Sequence, residues 1–173
     1  MNPQELSNSL WASAHLRDLA LKDVKAIVPM LAAQMRGKVG GMNPQELSNS
    51  FWASARLKDV VPDVAQIVPA LSVQIPGNAG AMNTQELSNC FWAAGKLKDV
   101  ALDSVRQILP ALVARLPNAV PDMIPQHFAQ CFSAVELLKD LEPDVLKLLP
   151  ALRAEVAKRG LSEAKLSGSG TVK

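Results

Sequence analysis

MNPQELSNSLWASAHLRD, residues 1–18, returns as MNPQELSNSFWASARLKD at residues 42–59, as MNTQELSNCFWAAGKLKD at 82–99 and, loosely, as MIPQHFAQCFSAVELLKD at 123–140. A period of about 40 residues is the signature of stacked repeat architectures. A unit of that size cannot bury its own apolar face, so the core has to run continuously from one unit to the next. The sequence therefore predicts an all-α chain. It is expected to form an α-solenoid of four helix-pair repeats (1–41, 42–81, 82–122 and 123–166), one domain in all, followed by a flexible tail at 167–173 whose composition, SGSGTVK, is that of a linker.

Working outward from the repeated stretch, each unit opens with complete helix-start chemistry. Asn2 is an N-cap, Pro3 suits the first helical position, Glu5 closes a capping box, and Met1 with Leu6 forms the hydrophobic staple. Asn43, Pro44 and Glu46 repeat the arrangement, and Asn83 with Glu86 repeat it without the proline. In the fourth unit Ile124 and His127 replace the cap and its partner, which predicts a weaker start there. Leu6, Leu10 and Ser13, with Leu16 on the flank, mark an apolar face of helical period. This helix should end near Arg17 and Asp18.

A second helix follows in each unit, for example PDVAQIVPALSVQI from Pro62 and PDVLKLLPALRAEV from Pro143. Its middle carries one proline per repeat, Pro29, Pro69, Pro110 and Pro150, predicted to kink the helix or split it in two. Irregular insertions fall near Leu21 and Ser104. Eight helices in four antiparallel pairs are expected. The fourth unit's polar second helix, with Arg153, Glu155, Lys158 and Arg159, suits a terminal cap, whereas the first unit's outer face begins bare at Met1. That bareness fits either an excerpt of a longer array or an end that docks on a partner.

Composition removes several functional classes. The net charge is +2, with acidic and basic residues mixed along the chain, so no charged tail names a partner. Cys90 and Cys131 both stand at the ninth position of their repeats, where Ser9 and Ser50 stand earlier, and read as small packing residues in a reducing compartment. Pro, Lys and Asp interrupt every apolar run, which predicts no membrane span, and no targeting segment is visible. His15 and His127 occur singly without metal-ligand spacing, the serines lack a repeated His and acid, and no glycine-rich phosphate loop precedes a helix. Neither catalytic site nor metal nor cofactor is expected.

Positions four, eight, eleven and fifteen of the first helix fall within about 60° of one another at 100° per residue. They are Gln4, Asn8, Trp11 and His15, then Gln45, Asn49, Trp52 and Arg56, then Gln85, Asn89, Trp92 and Lys96. Amides hydrogen-bond base edges, an indole stacks on a base and a cation pairs with phosphate, so the stripe is a candidate surface for single-stranded RNA. Two roles fit Trp11, Trp52 and Trp92: inter-repeat core, the commoner one for a repeated Trp, and a stacking platform. The asparagines fit an inter-repeat ladder as well as a base contact. Arg17, Lys58 and Lys98, beside His15, Arg56 and Lys96, extend the stripe into a basic ridge that could follow a phosphate backbone. Cations are also favoured in the last turn of a helix, and Asp18, Asp59 and Asp99 offset part of their field. The fourth repeat drops the pattern, with Gln130, Ser133 and Leu137 at these positions.

NPQELSNSLWASAHL, NPQELSNSFWASARL and NTQELSNCFWAAGKL resemble the first helix of octotricopeptide-type repeats and of their heptatricopeptide and FAST-kinase-like relatives, through the Pro-Gln, the Leu and Asn spacing and the Leu/Phe-Trp-Ala core. The fourth repeat shares only PQ and the LLKD and LPAL stretches. The resemblance implies a paired-helix solenoid in an organelle, chloroplast or mitochondrion, contacting single-stranded RNA through Gln4, Asn8, His15 and their counterparts. It equally allows a fixed structural subunit of a multi-subunit complex such as a ribosome, a respiratory complex or a photosystem.

Overall fold

The computed structural model describes residues 1–168. The chain is all-α, with no strand among the described residues. Its α-helices are α1 (Pro3–Leu16), α2 (Leu21–Met35), α3 (Pro44–Leu57), α4 (Val68–Asn78), α5 (Thr84–Leu97), α6 (Leu102–Ala119), α7 (Pro125–Leu138), α8 (Leu149–Lys158) and α9 (Glu163–Gly168). Short 3-10 segments at Val39–Gly41, Ala79–Ala81 and Val120–Asp122 lead into α3, α5 and α7.

The first helices begin as their sequences dictate. In α1 the Glu5 amide donates to Asn2 Oδ1 and the Asn2 amide donates back to Glu5 Oε2, both at 2.8 Å, and α3 and α5 repeat the reciprocal pair. At α7 only half of it survives. Ile124 has no side-chain acceptor, but its amide donates to His127 Nδ1 at 3.3 Å.

Each first helix packs on the next, α1 on α3, α3 on α5, α5 on α7 and α7 on α9, while α2, α4, α6 and α8 pack on the first helices of their own units. One cluster of buried apolar side chains runs from Leu6 to Leu166 through both rows. Small side chains set the close approach between first helices: Ala53, Ala93 and Ala134, all at position twelve, are fully buried.

The prolines act differently in alternate units. Ten residues separate Asp18 from Pro29 and Asp99 from Pro110, and there α2 and α6 run as single helices with Pro29 and Pro110 inside. Nine separate Asp59 from Pro69 and Asp140 from Pro150; there residues Pro62–Ile67 and Pro143–Leu148 wind as 3-10 helix, and α4 and α8 start beyond. The expected split thus occurs in two units of four. Six residues at about 3.0 per turn complete two turns, as about seven do at 3.6, so tighter winding absorbs the missing residue. The inward residues keep their register: Val24, Val64, Val105 and Val145 are all buried five residues before the proline.

The end of the chain departs from the expectation of eight helices and a tail from residue 167. Gly160, at φ +66°, lets α8 stop in a left-handed turn, with Leu161 N donating to Val156 O and Gly160 N to Ala157 O. The chain then turns into α9, which places Leu166 in the core and runs through Gly168. Residues 169–173, the rest of the expected tail, lie outside the described residues. α9 packs on α7, and Arg153 of α8 is tied to it through Glu163 at 3.1 Å.

Candidate nucleic-acid interface

Positions eleven and fifteen of α1, α3 and α5 converge into one column, because residues four apart share a helix face and adjacent first helices lie side by side. Trp11 and His15 have ring centroids 3.8 Å apart, His15 stacks on Trp52 at 5.1 Å, and Trp52 lies 6.2 Å from Trp92. Arg56 sits over the Trp52 ring and Lys96 over the Trp92 ring, each at 5.6 Å. His15 Nδ1 lies 3.0 Å from the Trp11 carbonyl, one turn back. Trp52 and Trp92 are half-buried against the core, and Trp11 is 41% exposed. The rings pack between units, and the column keeps an outer side in water.

At the C-terminal ends of the first helices an open cleft of about 410 Å³ is lined by Arg17, Arg56, Lys58, Lys96 and Lys98, with Trp92, Asp59 and Asp99. These cations are not equivalent. Arg17 Nη1 donates to the carbonyl of Arg56 at 3.0 Å, and Lys98 Nζ to that of Leu137 at 2.9 Å, so each caps the C-terminal end of the next first helix. Arg17 also pairs with Asp18 at 2.9 Å, which holds that carboxyl below its ordinary range. Lys58 pairs with Asp59 at 2.7 Å. Arg56 and Lys96 sit against indole faces, Arg56 also lies within the field of the Asp18 carboxylate, and among the described residues Arg56 Nε is buried with no hydrogen-bond partner. The basic ridge therefore divides: position seventeen is largely structural, and position fifteen keeps donors to offer.

The amides separate as well. Gln4, Gln45 and Gln85 are exposed near the helix starts, away from the cleft lining. Asn8 is exposed, Asn49 half-buried, and Asn89 buried with its Oδ1 accepting from Gln130 Nε2 at 2.9 Å. Asn89 is thus an inter-repeat amide contact, which removes it from the candidate surface. The cause is the longer Gln130 beside it, which closes over Asn89 and leaves its own Oε1 unpaired.

Sequence reasoning missed the clamp at position seven. Ser7 Oγ donates to the Glu46 carbonyl at 3.0 Å and Ser48 Oγ to the Glu86 carbonyl at 3.1 Å. The signal was present, since Ser stands at this position three times and Ala129 in the fourth unit. Also unforeseen is the fit of Gly95 to Leu137: a Cβ on Gly95 would lie 3.1 Å from Leu137 Cδ1. Leucine at position fifteen of the fourth unit is matched by the loss of a methyl at position fourteen of the third.

Cys90 and Cys131 are buried and unpaired, with burial pushing each thiol up to about 12. Among the described residues no group of three His, Cys, Asp or Glu side chains could hold a metal ion, and no helix is long and apolar enough to cross a membrane. Comparison with known proteins gives no significant match to any family, curated protein or solved structure.

Proposed function

We propose that this chain is a non-enzymatic binding module, an α-solenoid of four helix-pair repeats, whose ligand is single-stranded RNA in an organelle. The carrying observation is the column of Trp11, His15, Trp52, Arg56, Trp92 and Lys96 opening onto a cleft with five cations and two acids. Phosphates would meet Arg56 and Lys96, whose donors are not consumed by carbonyls, while the column's outer edge offers base-sized aromatic surface. Gln45 and Gln85, exposed on the same helices, are the remaining base-edge donors.

The test is fluorescence anisotropy with short single-stranded RNAs across a salt series. Affinity should fall steeply with salt. The double variant Arg56→Ala/Lys96→Ala should lose at least tenfold in affinity with its unfolding midpoint nearly unchanged. Arg17→Ala/Lys98→Ala should instead lower the midpoint. No binding at low salt, or equal loss from both pairs, would end the RNA reading.

A second reading, a structural subunit of a large organellar complex with no RNA contact, draws on a different observation. Met1, Trp11, Leu16, Leu19, Leu21, Ile27 and Met30 are all exposed in the first unit, an apolar concentration unlike any other part of the chain. Purification from the source with and without RNase separates the readings. Protein partners that survive RNase, without enriched RNA, favour the second.

A further inference from the structure

Several exposed apolar side chains of the first unit are ones that the other repeats bury. Leu16 is 48% exposed, whereas Leu57, Leu97 and Leu138 at the same position are at 0%. Ile27 is 47% exposed against 0% for Ile67 and Ile108. Met1 and Ala12 are exposed, while Met42, Met82 and Met123, and Ala53, Ala93 and Ala134, are buried. Positions five, nine, twelve and sixteen form one stripe along the helix, and in α3, α5 and α7 the preceding first helix packs beside it.

The polar half of that contact is equally specific. The preceding helix supplies a hydroxyl at position seven to the carbonyl of position five, as Ser7 does to Glu46 and Ser48 to Glu86. It supplies a cation at position seventeen to the carbonyl of position fifteen, as Arg17 does to Arg56 and Lys98 to Leu137. Among the described residues, the corresponding carbonyls in α1, those of Glu5 and His15, receive no side-chain donor comparable to these.

Among the described residues, the other end of the molecule offers no matching forward face. Ala129 replaces the serine, Lys139 pairs with Glu136 in its own helix, and α9 packs on α7. A second copy therefore cannot fill the α1 face in the register of the internal contacts.

We propose that the face of α1 and α2 carrying Glu5, Ala12, Leu16 and Ile27 is a docking surface for a further helix-pair unit of this same repeat type. Its occupant presents a serine at the position of Ser7 and an arginine or lysine at that of Arg17. The apolar half of this contact recurs at all three internal interfaces, and the two polar clamps occur together between α1 and α3 and singly at the other two, so its geometry follows by continuity with those interfaces. This holds whether or not the column binds RNA.

The test uses the full chain extended at its start by a second copy of residues 42–81, whose end reproduces the Ala81–Met82 junction ahead of Met1. The extended chain should unfold in urea as one transition with a raised midpoint. In it, Leu16→Ala should lower the midpoint as much as Leu57→Ala does, although Leu16→Ala barely moves the unextended chain. A separate transition for the added unit, or a Leu16→Ala that stays neutral in the extended chain, would overturn the proposal. So would sedimentation showing that the native chain dimerises and that Leu16→Glu abolishes the dimer, since the occupant would then be a second copy docked back to back.

Discussion

The first and fourth units begin with first helices of the same length and differ in what their outer sides are made of. α1 keeps the small and apolar stripe of an internal repeat and leaves it in water, whereas α7 has surrendered the forward-reaching groups, Ser to Ala129 and the reaching cation to a Lys139–Glu136 pair, and is covered by α9. In stacked repeat architectures each unit touches only its neighbours, so an outer face is either modified or covered. The comparison teaches that divergence in the fourth repeat goes with a covered face, and fidelity in the first with an exposed one, the face proposed above as a joining surface.

The sharpest way to break the comparison is to cut the same leucine at each level. Leu57→Ala and Leu97→Ala remove fully buried side chains and should each lower stability by about 2–5 kcal/mol. Leu16→Ala, at a half-exposed site, should stay below about 1 kcal/mol. Urea titration of the three variants reads the contrast, and equal losses would mean that α1 is covered.

The next effect concerns the finish itself. Leu166 is a buried side chain in a helix of six residues, so Leu166→Ala should release α9 and lower stability by about 2 kcal/mol. Limited proteolysis should then cut soon after Gly160.

Smaller again are the serine clamps. Ser7→Ala and Ser48→Ala each remove a bond between units and should cost about 1 kcal/mol in thermal unfolding. Ser88→Ala should cost less, because Ser88 donates to the Gln85 carbonyl of its own helix.

The smallest effect turns one end toward the other. Ile124→Asn with His127→Glu rebuilds the capping box of α1, α3 and α5 at α7, and should stabilise by about 1 kcal/mol at neutral pH. Burial lowers the His127 pKa, so below about pH 6.5 the unfolded chain binds a proton that the folded chain refuses. Native stability should therefore fall as the pH drops from about 6.5 through the lower folded value, and the double variant should lack that step. Urea midpoints measured between pH 7.5 and 5 check both points.

The helix starts, the apolar faces and the convergence of positions eleven and fifteen were legible because each rests on spacing within one helix, as Asn2 with Glu5 or Trp11 with His15 do. What the spacing could not show was contact between units. Arg17 and Lys98 look like ridge cations until the next helix presents its carbonyl, and Asn89 looks like a base reader until Gln130 reaches across to it. The alternation of α and 3-10 winding was written in one residue between Asp59 and Pro69, but its meaning depends on two turns having to fit the same gap. The α9 cap was hidden because EAKLSG is short and polar, and only Leu166 meeting the core makes it a closure.

Amide hydrogen exchange of the intact chain, read helix by helix, tests the contrast between the two ends most directly. An open α1 and a covered α7 predict that α1 exchanges fastest of the first-row helices, while α3, α5 and α7 are protected together. Protection of α1 equal to that of α3 and α5, at a concentration where the chain sediments as a monomer, would contradict the account.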